Sequence, residues 1–149
     1  MWRVASRAED KLIEQMSLEL FREDPGIAPV PAENIRRTLA KLRAEPLRGR
    51  AVVLELMGKV EGYAFLTSFW SNELGGEVCF IDEIFVMNSS RGQGHGRTLV
   101  QTLLTPNNLW PERPVAIELE VTPANIRARE LYLELGFTPV KNAHMRIRF

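Results

Sequence analysis

A glycine-rich turn between two regular segments constrains the fold of this chain more than any other stretch. Residues 80–100 read FIDEIFVMNSSRGQGHGRTLV, which is an apolar run, then three alternate glycines, then a segment with helical apolar spacing. We interpret the stretch as strand, loop and helix. Glycine lets the backbone turn its N–H groups toward a ligand, and the helix that follows adds the positive end of its dipole. The stretch therefore predicts a loop that binds an anion, such as the phosphates of a cofactor.

The spacing of the glycines separates this loop from two other phosphate-binding motifs. A P-loop needs Gly-Lys-Ser/Thr after its glycines, whereas Gly96 is followed by Arg97 and Thr98. A dinucleotide fingerprint needs G-x-G-x-x-G, whereas these glycines fall at alternate positions. A tight turn without a ligand stays open at this point.

Composition narrows the class of protein. A chain of 149 residues with 45% hydrophobic residues has the size of one domain, and we expect a single domain over residues 1–149. The 19 basic and 19 acidic residues cancel, so no general field attracts nucleic acid or a membrane surface. No apolar run is long enough to span a bilayer, and we expect a cytoplasmic protein. The lone Cys79 is predicted to be a small buried hydrophobe.

The order of the predicted elements indicates a mixed sheet covered by helices. A capping box, Ser6 to Glu9, begins a helix over about residues 7–22, and a second helix ends before Pro46. A third helix follows the glycine loop, and Thr122 and Pro123 begin a fourth that ends at Gly136. Alternating or β-branched runs predict strands at Trp2–Ala5, Val52–Met57, Tyr63–Trp70, Val78–Met87, Val115–Val121, Phe137–Val140 and His144–Phe149.

Three side chains are candidates for proton transfer. Asp82 and Glu83 lie inside an apolar strand, where a carboxylate is costly unless it is solvated or paired. Neighbouring strand residues point to opposite faces, so only one of the two shares a cleft with the loop. Tyr132, on the fourth helix, has a phenol that could protonate a leaving thiolate. His95 and His144 are discounted as bases, and no cluster has metal-ligand spacing.

Two sequence blocks together resemble the GNAT superfamily of N-acyltransferases. The run Arg91-Gly92-Gln93-Gly94-His95-Gly96 is similar to that family's acyl-CoA pyrophosphate loop, R-x-x-G-x-G/A. Residues 125–137 look like its second block, N-x-x-A-x-x-L-Y-x-x-x-G-F. The resemblance implies an α/β (α+β) fold with a mixed, mostly antiparallel sheet of six to seven strands and about four helices on both faces.

The resemblance also implies a role for each matching residue. The backbones of Val86 and Met87 would hold the acetyl and pantetheine arm of acetyl-CoA. Asn125 would hydrogen-bond the pantetheine region, and Ala128 of the same block joins the cofactor-binding residues. Tyr132 would be the general acid toward the thiolate. The loop residues would wrap the pyrophosphate mainly through their N–H groups; they are Arg91, Gly92, Gln93, Gly94, His95, Gly96 and Arg97.

The implied reaction is direct attack of a neutral amine on the thioester, with the oxyanion held by a strand N–H near Met87. The strand around Asp82 is similar to that of polyamine and aminoglycoside acetyltransferases, which selects Asp82 as the base and keeps Glu83 in reserve. Acidic residues at 73, 77, 82 and 83 favour a small cationic amine as acceptor. A silent acyl-CoA-binding module and a protein N-terminal or lysine acetyltransferase stay open, as does a homodimer. A nucleotide-binding module is disfavoured by the glycine spacing, and no metal is expected.

Overall fold

The computed structural model describes residues 1–25, 28–106, 109–142 and 144–148. Short 3-10 turns at Arg7–Glu9 and Asn88–Ser90 precede a helix and the glycine loop respectively. The remaining elements, in chain order, are β1 (Trp2–Val4), α1 (Asp10–Glu23), α2 (Ala32–Ala44), β2 (Gly49–Leu56), β3 (Lys59–Ser71), β4 (Gly76–Val86), α3 (His95–Leu103), β5 (Ala116–Leu119) and α4 (Ile126–Glu134).

The described strands form one sheet in the order β1-β2-β3-β4-β5. The first four are antiparallel neighbours, and short turns join β2 to β3 and β3 to β4. β4 and β5 are parallel, since α3 and a long loop carry the chain back to the starting edge. The mixed and mostly antiparallel sheet predicted from the sequence is confirmed.

The predicted count of six to seven strands is wrong for the described residues, which form five. The segments 137–140 and 144–148 are not strands, while residues 143 and 149 lie outside the described ranges. Met145 and Ile147 are 89% and 78% exposed, so their alternation with arginines buries no apolar face. Alternating apolar and polar residues form a strand only where a neighbouring strand pairs with them and a core buries their apolar side. β5 offers just four residues for pairing.

Helices cover both faces of the sheet, as predicted. Leu99, Val100 and Leu103 of α3 pack against one face, together with Val52, Leu66 and Ile81 from the strands. The other face is covered by α1 and α2, whose buried residues contact Val53, Tyr63, Phe65 and Phe85. Because adjacent strand residues alternate between faces, β2 and β3 contribute to both cores.

The first helix begins one turn later than predicted. The backbone N–H of Ser6 donates to the Glu9 carboxylate at 2.6 Å, but the turn it caps is the 3-10 turn, and α1 proper begins at Asp10. Arg3 donates to Glu9 and to Glu55 of β2, which joins this turn to the sheet. No helix among the described residues is long and apolar enough to cross a membrane.

Candidate active site

The candidate site is a split between β4 and β5. The two strands pair only from Val78 with Ala116 to Ile81 with Leu119, while β4 continues to Val86. At the point of separation β4 carries a bulge: Phe65 is opposite Glu83 and Leu66 is opposite Ile81, so Asp82 is the extra residue. A bulge bends its strand and redirects the side chains around it. The last five residues of β4 therefore form one wall of an opening beside β5.

The bulge also reverses which face each residue of β4 meets. Cys79 and Ile81 contact the core under α3, whereas Phe85, also at an odd position, contacts the core under α1 and α2. Glu83 consequently points to the α1 side. Cys79 is fully buried, and burial raises the pKa of its thiol to about 12, which agrees with its predicted structural role.

Backbone groups on the open side of β4 face the split. The N–H of Met87 donates to the Glu61 carbonyl at 2.8 Å, so Met87 points its backbone toward β3. Alternate residues of a strand direct their N–H and C=O groups to opposite sides, so Val86 points toward β5. Its carbonyl accepts from Nε of Arg91 at 2.7 Å. The N–H of Met87 is therefore used within the sheet, whereas the backbone of Val86 faces the open side.

The glycine loop lies at the end of β4 and leads into α3. Gly92 and Gly94 have φ of +80° and +81°, a region that residues with a Cβ rarely adopt. Gly94 is the N-cap of α3, so the positive end of that helix faces the loop. A Cβ on Gly96 would lie 3.4 Å from Leu131 of α4. The loop has the backbone conformation expected for an anion cradle next to a helix N-terminus.

Several groups of the loop bond to residues outside it. Arg91 donates to Glu23 at the end of α1 at 2.7 Å, and Arg97 contacts Glu134 of α4 at 2.5 Å. The carbonyl of His95 accepts from the Trp2 indole at 2.9 Å. These bonds hold the loop in place through its flanks. Gln93, in the middle of the loop, is exposed.

Asp82 lies at the mouth of the split. Its side chain is exposed on one side, but the surrounding protein raises the pKa of its carboxyl. Nearby Glu120 raises that pKa further, and Arg146 opposes the shift. A carboxylate with a raised pKa is a stronger base toward an ammonium group. The expected acidic neighbours differ: Glu77 lies about five residues, or ~16 Å, back along β4, and Glu120 takes its place.

Glu83 is bound by two buried hydroxyl groups. Tyr63 of β3 donates to its Oε2 at 2.7 Å, and Ser17 of α1 donates to the same oxygen at 3.1 Å. Burial raises the pKa of Glu83, while these two hydrogen bonds lower it. The sequence indicated neither partner, because Ser17 is 66 residues away and looks like any small residue on a helix face.

Tyr132 lines a second feature, the β5 groove, which encloses about 650 Å³ between β5, α4 and residues 137–140. Its ring packs edge-on against Phe137 at 5.5 Å, and burial raises the pKa of its phenol. Glu120 lines the same groove and is paired with His144 at 3.2 Å. Among the described residues Tyr132 has no hydrogen bond to Asp82 or Glu83, but Glu120 lines the groove and also lies near Asp82.

The second sequence block forms α4 together with its N-cap and the residues that follow it. Asn125 is the N-cap, and its Oδ1 accepts from the N–H of Ala128 at 3.2 Å. The predicted cap at Thr122 is wrong, because that hydroxyl donates to Asp24 at 3.1 Å instead. An Asn side chain with a bond to the third helical N–H is the better cap. Within the described residues no group of His, Cys, Asp or Glu could hold a metal ion.

Most of the chain matches the model of one protein family. The model of the acetyltransferase (GNAT) family covers residues 13–137, which include the split, the glycine loop and α4. The chain belongs to the GNAT acetyltransferase family. The resemblance seen in the two sequence blocks is thereby confirmed. The sequence matches none of the curated proteins compared with it.

Solved structures with the same fold as this GNAT protein carry several different names. A "possible acetyltransferase" from Clostridium difficile 630 has a TM-score of 0.82 at 18% identity, covering 100% of this chain and 97% of its own. An integron cassette protein from the Cole Harbour Salt Marsh metagenome has a TM-score of 0.75 at 22% identity, covering 99% of this chain and 89% of its own. Ribosomal-protein-alanine N-acetyltransferase from Brucella melitensis biovar Abortus 2308 has a TM-score of 0.69 at 16% identity, covering 100% of this chain and 99% of its own. At these identities the likeness concerns the fold.

Proposed function

We propose that this GNAT protein transfers an acetyl group from acetyl-CoA to a primary amine, acting as a single catalytic domain. One observation carries the proposal: β4 separates from β5 at the Asp82 bulge and then leads directly into the glycine loop at the start of α3. An extended acyl-pantetheine arm fits beside an unpaired strand, and its pyrophosphate fits a helix N-terminus.

The proposed cofactor contacts follow this path. The backbone of Val86 and its neighbour Met87 accompanies the acyl arm, and the N–H groups of the loop from Arg91 to Arg97 hold the pyrophosphate. Gly92 and Gly94 support this assignment, since their positive φ angles direct the loop backbone without Cβ atoms in the way. Asn125 and Ala128 lie at the start of α4, next to the loop, since the side chain of Arg127 approaches Gly92.

The proposed reaction begins with removal of a proton from the substrate ammonium by Asp82. The neutral amine then attacks the thioester carbon, and the N–H of Val86 stabilises the developing oxyanion. When the carbon–sulfur bond breaks, Tyr132 donates its phenolic proton to the thiolate; the acetylated nitrogen releases its second proton as the amide forms, and a proton is thereby returned to the tyrosinate. Burial raises the pKa of this phenol, which keeps the proton available at neutral pH. Most of the rate enhancement would come from positioning of the two substrates.

A small cationic amine is the proposed acceptor. Asp82, Glu83 and Glu120 bring three carboxyl groups to the region of the bulge, and a cation is the complementary ligand. We expect the enzyme to act in the cytoplasm without a nucleic-acid or membrane partner, and the proposal needs no metal. A homodimer remains open. One solved structure with this fold is a ribosomal-protein-alanine acetyltransferase, so a peptide N-terminus belongs in the acceptor panel.

A thermal shift titration with acetyl-CoA, coenzyme A, NAD and ATP tests the cofactor. We expect stabilisation by the first two; a ligand at 100 times its Kd adds about 2.7 kcal/mol to the free energy of unfolding. Stabilisation by NAD or ATP alone would refute the acyltransferase proposal. Stabilisation by acetyl-CoA without transfer to any amine in a broad panel would favour the silent acyl-CoA-binding module.

A further inference from the structure

Glu83 is not the base of the proposed reaction, yet its environment is unusual for a carboxylate. The hydroxyls of Tyr63 and Ser17, both fully buried, donate to the same oxygen, Oε2, at 2.7 and 3.1 Å. The three residues come from three elements, β4, β3 and α1. Two hydroxyls that converge on one oxygen fix the orientation of the whole carboxyl group, because the side chain can no longer rotate without losing both bonds.

The carboxyl of Glu83 has no cationic partner among the residues that the structure describes. Within the described ranges, no lysine or arginine lies at ion-pair distance from Glu83, although ten arginine or lysine ion pairs occur elsewhere in the chain. The titratable neighbours are Tyr63 and Asp82, of which the second is also acidic. A partly buried carboxylate is costly without a partner. Burial, the largest influence, raises the pKa of Glu83, and the two donated hydrogen bonds oppose that rise by favouring the ionised form.

The geometry points to Tyr63 and Ser17 as positioning residues that hold Glu83 to receive the ammonium group of the amine acceptor. Both hydrogen bonds occupy Oε2, which leaves Oε1 to accept from a substrate. The bulge interrupts the alternation of faces, and the Asp82 carboxyl lies close enough to raise the pKa of Glu83, so a cation held at Glu83 lies beside the proposed base. The inference rests on the proposed function and adds to it the groups that recognise the acceptor.

If the hydrogen bonds to Glu83 were purely structural, they would only link α1 to the sheet. Another serine–glutamate pair in the chain serves as a control for such a role. Ser68 donates to Glu77 across the same two strands, β3 and β4, at the other end of the sheet. This pair has the same chemistry and a half-buried glutamate like Glu83, although Ser68 is half-buried where Ser17 is buried, and it lies far from the split. Ser68→Ala therefore measures what the loss of a serine–glutamate hydrogen bond does without a substrate nearby.

The test compares Tyr63→Phe, Ser17→Ala and Glu83→Gln with Ser68→Ala. In acetyl transfer to 1,4-diaminobutane, we expect Tyr63→Phe and Ser17→Ala to raise the KM for the amine about three- to tenfold, as for one lost hydrogen bond each. The KM for acetyl-CoA should stay within about twofold of the wild-type value, since neither hydroxyl lies on the proposed cofactor path. Tyr63→Phe also removes a bond that lowers the pKa of Glu83, so the acidic limb of kcat/KM for the amine should move to higher pH.

Calorimetry provides a readout that does not depend on transfer. The wild-type protein should bind 1,4-diaminobutane and should not bind 1,4-butanediol, which has the same length without charge. Glu83→Gln should abolish that binding, Tyr63→Phe should weaken it and Ser68→Ala should leave it unchanged. If Ser17→Ala does not fold, Tyr63→Phe alone decides, because it removes one oxygen and no carbon.

The outcomes separate the two proposals. Transfer with an unchanged amine KM in Tyr63→Phe would overturn this inference and leave the proposed function standing. Absence of transfer together with charge-selective, Glu83-dependent binding would refute the proposed reaction and retain the recognition role. Absence of both transfer and diamine binding would overturn the two together.

Discussion

Asp82 obtains its position from a single extra residue in β4. The bulge removes it from the regular pairing with β3 and sets it where β5 separates. Its pKa is raised by burial and by Glu120, with Arg146 opposing. The residue that a strand pattern would treat as an interruption is thus the one that the proposed site uses. Bulges are frequent at active sites for this reason.

Asp82→Asn should flatten the dependence of kcat/KM on pH. In the wild type, activity rises as the carboxyl loses its proton, and the raised pKa places this rise above the usual range of an aspartate. Asparagine cannot titrate, so the part of the rise that Asp82 contributes should disappear, a shallower rise from Glu83 should remain, and activity should fall about 10²- to 10⁴-fold. A variant that keeps the same pH profile would show that another group is the base, and Glu83→Gln would then be measured in the same way.

Tyr132→Phe should lower turnover more than acetyl-CoA affinity. The phenol would act on the leaving thiolate, so its loss should reduce kcat about 10²-fold or more. The ring is retained, and with it the edge-on contact to Phe137, so folding and cofactor affinity should change little. Steady-state kinetics and calorimetry with acetyl-CoA give both quantities. An unchanged kcat would remove Tyr132 from the mechanism.

At the scale of elements, the glycine loop depends on backbone angles. Gly94→Ala should cost about 1 kcal/mol of stability, because a Cβ is disfavoured at a φ of +81° although nothing lies within 4 Å of it. Gly75→Ala is the matched control, since Gly75 has a φ of +67°, equally open space and a place in the distant β3–β4 turn.

The two glycine variants should therefore show similar decreases in melting temperature. Only Gly94→Ala should weaken acetyl-CoA binding, measured by calorimetry, because only that backbone belongs to the proposed cradle. Equal acetyl-CoA affinities in both variants would mean that the loop does not hold the pyrophosphate.

The Arg3–Glu9 ion pair in the turn before α1 should make the free energy of unfolding depend on pH in the acidic range. Arg3 lowers the pKa of Glu9 from 4.5 to about 2. A carboxyl with a lowered folded pKa stabilises the fold above its unfolded pKa, and this stabilisation is lost as pH falls from about 4.5 to about 2. Urea unfolding across that range should show a smaller decrease for Arg3→Met than for the wild type. Parallel curves would show that the ion pair contributes nothing to folding.

Most elements could be predicted from the sequence because their signals are local. The glycine loop, the β2–β3 hairpin and α1 each follow from a short pattern of apolar, turn and capping residues. The last two predicted strands rest on alternation alone, and alternation does not reveal whether a partner strand exists. The fourth helix begins later than predicted because Asn125, rather than Thr122, is its cap.

For the whole molecule, the sheet positions groups that are distant in the chain. Ser17, Tyr63 and Glu83 meet through α1, β3 and β4, and no local pattern predicts that meeting. The glycine loop and the 125–137 block could be recognised because each is contiguous. The acceptor site depends on residues that are distant in the chain, so the sequence indicates a class of cofactor more readily than it indicates the amine.

The central claim is that acetyl-CoA and an amine meet at the split beside Asp82. The direct measurement is mass spectrometry of amine products after incubation of the purified protein with acetyl-CoA and an amine panel that includes an alanine-initiated peptide. We predict an N-acetylated product with release of coenzyme A, and its loss in Asp82→Asn. No acetylated product from any amine, or undiminished product formation in both Asp82→Asn and Glu83→Gln, would contradict the account.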